Sequence, residues 1–133
     1  MSLVRDLFSS RRRSHPRVVV HWMVDVAVPD TEPQRWVGLF ATDLSTQGIR
    51  LKGLDTDDVR GLLHYRGDAL MKLRIPGLRP PLPLVTAELR WSLGEKPKFH
   101  TGWLFAKKID ASTLEFIDKF IADHPQDLLT DAT

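Results

Sequence analysis

Arginine crowds the start of this sequence. In Arg11-Arg12-Arg13-Ser14-His15-Pro16-Arg17 four guanidinium groups fall close together with no lysine among them. A guanidinium holds phosphate oxygens through paired N–H bonds and lies flat on a purine, which an ammonium does less well. Read alone, the run is either an arm that recognises an anion or a solvated basic tail that touches nucleic acid without specificity. Pro16 biases His15 toward extended backbone and removes one N–H just before Arg17. A second cluster is Asp43-Leu44-Ser45-Thr46-Gln47-Gly48. On an extended strand Asp43 and Ser45 share one face and Leu44 takes the other. A carboxylate can accept from both the N1–H and the exocyclic amine of a guanine, and a serine hydroxyl can reach a phosphate or a ring edge. Gly48 permits a positive φ and a close backbone approach. By itself, Asp-x-Ser-x-x-Gly is the pattern of a hairpin turn.

Catalytic patterns find no support. His15, His21, His64, His100 and His124 are scattered without HxH or HExxH spacing. Asp55, Asp57 and Asp58 resemble half of a calcium loop, but no glycine or terminal glutamate follows at the required offset. No serine sits in a GxSxG elbow, and no glycine-rich loop opens a helix. The chain has no cysteine, which removes thiolate metal sites, thiol nucleophiles and disulfides and fits a cytoplasmic location. No apolar run reaches the roughly 20 residues of a membrane span, and Arg11-Arg12-Arg13 cuts off any signal-peptide core. The expectation is a protein that is not an enzyme, carries no cofactor or metal, and does not insert into a membrane.

The elements that must position the two clusters are mostly strands. With 133 residues there is room for one domain, and 42% hydrophobic residues suffice for a core. Period-two or β-branched runs predict strands over 18–28, 35–42, 48–52, 68–75, 84–91 and 99–106, joined by Pro/Gly-rich links. Six such strands imply a small antiparallel barrel. The period then changes: Leu114, Ile117, Phe120 and Ile121 form one helical stripe, starting near Ser112 as N-cap and ending before Pro125. Residues 53–67 are ambiguous, with a single helical turn the best reading, and 125–133 read as a frayed tail. The net charge of +2 is divided unevenly, +4 over residues 1–20 and −2 over the rest. A basic arm, 1–17, thus precedes a mildly acidic body, 18–124.

Taken together, Arg13-x-x-x-Arg17 before the first strand and Asp43-x-Ser45-x-x-Gly48 between the second and third resemble the PilZ domain family. The resemblance covers roughly residues 9–122, including Gly102-Trp103-Leu104-Phe105 and the closing helix. It implies a mostly β fold, a six-stranded PilZ-type barrel with a C-terminal α-helix, and cyclic di-GMP as ligand. The residues it assigns to that ligand are Arg12, Arg13, Arg17, Asp43, Ser45 and Gly48. Trp91, after Arg90 at a strand end, is a further candidate for stacking on a base, with barrel-rim packing as the alternative. Trp22, Trp36 and Trp103 read as core or surface strand residues. The implied role is a stand-alone receptor or adaptor whose arm orders on binding and alters the surface offered to a protein partner. Two other readings stay open: a nucleotide-independent interaction module in pilus or motility regulation, and a small barrel binding RNA or single-stranded DNA. The arm contains no aromatic residue to stack on bases, which weighs against the last.

Overall fold

In the computed structural model, residues 15–65, 67–106 and 108–129 are described. The expected arm through residue 14, with Arg12 and Arg13, and the tail residues 130–133 lie outside them. Six strands, β1 (Val18–Val28), β2 (Arg35–Leu44), β3 (Gly48–Leu54), β4 (Asp68–Arg74), β5 (Val85–Glu95) and β6 (Lys98–Phe105), pair antiparallel. Their order is β1-β2-β3-β6-β5-β4, and β4 returns to β1 to close a barrel.

Alternation decides which side chains fill it. β4 is the cleanest case: Ala69, Met71 and Leu73 point inward while Asp68, Leu70, Lys72 and Arg74 stay outside. Val18, Val20, Val24 and Val26 of β1 do the same, meeting Leu39, Leu44, Ile49 and Leu51 from β2 and β3. Each such fully buried side chain stabilises the fold by about 1.5–3 kcal/mol relative to exposure. Trp103 is also inside, and its indole N–H donates to Thr101 Oγ1 at 2.8 Å. Thr101 in turn donates to the Leu51 carbonyl at 3.0 Å, so this buried polar pair is satisfied.

The ambiguous stretch holds a two-turn helix, α1 (Asp57–His64), longer than the single turn expected. Thr56 caps it by accepting from Val59 N, and Val59 and Leu62 are buried in the barrel core. The C-terminal helix α2 (Ala111–Asp123) sets Ile117 and Ile121 into the same core. Its Phe120 meets Trp22 of β1 edge-on at 5.0 Å between centroids. Asp110, not Ser112, is the N-cap, accepting from Ser112 N at 3.0 Å.

The hydroxyl and then the backbone N–H of Ser112 hold the Asp110 carboxyl below its ordinary value of 3.8. A lowered folded-state pKa adds stability that is present above the ordinary value and lost as pH falls through the folded one. Asp110→Asn keeps a good cap but loses this dependence. The variant is expected to fall slightly below the parent at neutral pH, to converge with it in acid, and so to show a flatter acid limb in denaturation curves.

Residues 125–129, read as fraying, instead dock. Pro125–Asp127 form a 3-10 turn. Leu128 bridges Val18, and Leu129 N donates to Arg17 O at 2.9 Å. The docking places the chain's last described residues against the root of the arginine arm.

Candidate functional site

One register line crosses five strands. Val19 of β1 pairs with Asp43 of β2, Asp43 with Arg50 of β3, Arg50 with Gly102 of β6, and Gly102 with Trp91 of β5. Bulges adjust this line at both ends, between Ala41 and Asp43 on β2 and between Leu89 and Trp91 on β5. A bulge re-aims the side chains that follow it. Here the two re-aimed residues are Asp43 and Trp91.

Asp43 is the hub. Only 5% exposed, it accepts from Arg17 NH1 at 2.8 Å. Arg50 Nε stands 3.8 Å from the same Oδ1, is buried, and has no hydrogen-bond partner. A buried donor without a partner is costly, and the Asp43 carboxylate 3.8 Å away offsets that cost only through its charge. On its other side the Arg50 guanidinium lies 5.9 Å from the centre of the Trp91 ring. Gly102 makes that contact possible. A Cβ there would lie 2.1 Å from Trp91 Nε1, so the indole occupies the space a side chain would take. Trp91 is 43% exposed. It therefore packs on the barrel rim and still presents ring surface outward.

The turn residues serve the loop more than the surface. Ser45 is 1% exposed, and its Oγ accepts from Gln47 N at 3.0 Å and Gly48 N at 3.2 Å. Its hydroxyl thus closes the hairpin, the simpler of its two expected uses. Gly48 does not adopt a positive φ, correcting that expectation; the positive-φ glycines are Gly67 and Gly77. Glycine is needed at 48 for close approach, since a Cβ would meet the Trp103 carbonyl oxygen at 2.1 Å. Asp43, Leu44 and Ser45 are all buried, but in different surroundings: Leu44 joins the hydrophobic core, while Asp43 pairs with the partly exposed Arg17.

The structure brings together Arg17, Asp43 and Trp91, and adds Arg50, which the sequence reading treated as an ordinary strand residue. Its only sequence signal is a cation two positions beyond Gly48. Among the described residues there is no cluster of three His, Cys, Asp or Glu able to hold a metal, and no helix long and apolar enough to cross a membrane.

Comparison with solved structures identifies the architecture. The PilZ domain of Escherichia coli YcgR with c-di-GMP superposes with a TM-score of 0.62 at 11% identity, over 87% of this chain and 92% of that one. The chain has the PilZ fold. The Bacillus subtilis inhibitor of motility MotI (DgrA) matches with a TM-score of 0.64 at 13% identity, over 86% of this chain and 52% of that one. Borreliella burgdorferi PlzA, solved in complex with c-di-GMP, matches at 0.59 and 8% identity, over 94% and 57%. The chain thus spans about half the length of those two proteins. No protein-family profile and no curated protein sequence matches it.

The burial and pairing of Asp43 can be tested directly. A purely ligand-facing aspartate could be removed without loss of stability; this one is buried and paired. Asp43→Asn is expected to destabilise the protein by about 1 kcal/mol, modest because Arg17 is partly exposed. If Asp43 also contacts a ligand, the same variant weakens its binding. Chemical denaturation reads the first effect and calorimetry the second.

Proposed function

We propose that this protein is a non-enzymatic cyclic di-GMP receptor. The observation that supports it most is the Arg17–Asp43–Arg50–Trp91 row on a barrel whose likenesses include structures solved with that nucleotide. Guanidinium groups suit its two phosphates, and the Arg50–Trp91 pair offers cationic and aromatic faces to a guanine. On binding, Arg17 turns toward a phosphate and Asp43 exchanges that partner for the N1–H and amine of a guanine. Arg12 and Arg13 of the arm complete the phosphate contacts. Ordering an arm costs conformational entropy, so the ligand's contacts must supply the drive, and the refolded arm changes the surface offered to a protein partner.

A second reading has its own support. Arg17 and Asp43 already satisfy each other, and the Ser45 oxygen already accepts two loop N–H groups, so the site is largely closed without nucleotide. That fits an interaction module which has kept the motif and binds no nucleotide. Calorimetry with cyclic di-GMP, GMP and a short oligonucleotide separates the readings. Selective binding of the first supports the receptor, no binding of any supports the module, and binding of the oligonucleotide alone overturns both.

Salt dependence gives an independent measure. A nucleic acid held through many phosphates releases many counterions, so its affinity collapses as salt rises. Two phosphates release few. The slope of log affinity against log salt is expected to be shallow, on the order of −1 to −2. If Arg12→Ala and Arg13→Ala only flatten that slope and leave guanine selectivity intact, the arm is a general anion tail.

A further inference from the structure

The outer face of β1 and β4 carries a groove that the row through Asp43 does not use. It has a volume of about 480 Å³ and lies between these strands and the segment 75–82 that follows β4. Met23, Leu78, Pro81 and Leu82 give it apolar walls, and His21, Lys72 and Arg74 give it basic ones. No acidic residue lines it. We propose that this groove is a docking site for a partner protein, receiving an apolar side chain from an acidic segment of that partner.

Charge complementarity selects the occupant. Arg74 is paired with Asp25, while Lys72, opposite Asp25 in the register, makes no ion pair among the described residues and lies 5.5 Å from the centre of the Trp36 ring. Lys52, farther across the same face opposite Phe40, adds another cation, and Phe40 itself is 51% exposed. An apolar floor with a basic surround suits a peptide whose hydrophobic anchor is flanked by Asp and Glu. The chain's own N-terminal segment is a poor occupant, because residues 1–14 carry Arg5, Arg11, Arg12 and Arg13 against Asp6 alone. A flat anionic membrane would meet the cations but would not fill a concave groove.

The groove is also pre-organised. Pro76, Pro80 and Pro81 fix φ along the segment that forms its outer wall. A wall with few conformations to lose costs little entropy on binding, which favours capture of a short segment. The inference does not rest on nucleotide binding, since none of the groove's residues belongs to the row of Arg17, Asp43, Arg50 and Trp91.

The test is an NMR titration of the whole isotope-labelled chain with a short synthetic peptide bearing a central Leu-Phe pair between Asp and Glu residues. Shifts are expected at His21, Met23 and 72–82. Replacing the Leu-Phe pair by alanines, or the acids by lysines, should abolish them. Lys72→Glu, at an exposed position, and Leu78→Asp, at a half-buried one, should each weaken binding by roughly tenfold while thermal melts show a folded protein. If Leu78→Asp does not fold, Lys72→Glu decides alone. Shifts confined to Arg17, Arg50 and Trp91, equal binding of the lysine peptide, or no shifts at all overturn the proposal. So does sedimentation with phosphatidylglycerol vesicles that the peptide cannot compete away.

Discussion

Arg17→Ala is expected to weaken cyclic di-GMP binding by at least about tenfold, since a hydrogen bond to a charged group contributes roughly 1.5–3 kcal/mol. Arg13→Ala should cost about as much if the arm contributes as the resemblance implies. For Arg17 a second effect accompanies the first. Its partner Asp43 is 5% exposed and would keep only Arg50, 3.8 Å away. Stability should therefore fall together with affinity, and Arg17→Lys should restore the charge without the fork that suits carboxylate and phosphate. A double-mutant cycle with Asp43→Asn separates the two: coupling in stability reports the ion pair, and coupling in affinity reports its exchange for ligand. An Arg17→Ala protein that binds the nucleotide with undiminished affinity and selectivity would sink the receptor reading at this site.

The second large effect comes from two glycines that face opposite kinds of neighbour. At Gly48 a Cβ would press on backbone, 2.1 Å from the Trp103 carbonyl oxygen, where β3 pairs with β6. Backbone in a closed barrel cannot step aside, so Gly48→Ala is expected to cost near the top of the roughly 1–3 kcal/mol range for overpacking. That corresponds to a fall in melting temperature of roughly 10 °C. At Gly102 the added Cβ would meet side-chain atoms of Trp91, at 2.1 to 2.8 Å, and this indole is already half out in solvent. Gly102→Ala should therefore eject the indole and spare the barrel, lowering nucleotide affinity with little change in melting temperature. Equal destabilisation by the two substitutions would show that Trp91 is locked into the fold and not free to serve a ligand.

Strands were legible where burial alternates. β4 reads directly as exposed and buried in turn, and its expected and observed limits differ by one residue. The far half of β5 did not read that way, because Ser92–Glu95 are all exposed and are held only by pairing with β6. α1 was hard to see because just Val59 and Leu62 are buried, too few to fix a helical period. The site divides along the same line. Asp43 and Arg17 lie in recognisable local patterns, but Arg50 matters through lateral register with Asp43 and Gly102, which no run of neighbouring residues encodes. The bulges that aim Asp43 and Trp91 carry no sequence marker either. The docking of Leu128 and Leu129 was invisible for the same reason, since its partner lies at the other end of the chain.

That docking sets an order of events during synthesis. The β2–β3 hairpin, carrying Asp43 and Arg50, can close as soon as β3 has emerged, because its contacts are local. β1 must wait for β4 to seal the ring, and the backbone of Arg17 waits longer still, for Leu129. Contacts of such separation form late, after the chain has met the entropy of closing a long loop. A nascent chain on the ribosome would thus hold the carboxylate half of the site long before the arginine opposite it is seated. On the proposed function, a chain in which Leu129 has not yet docked holds the messenger with an incomplete site.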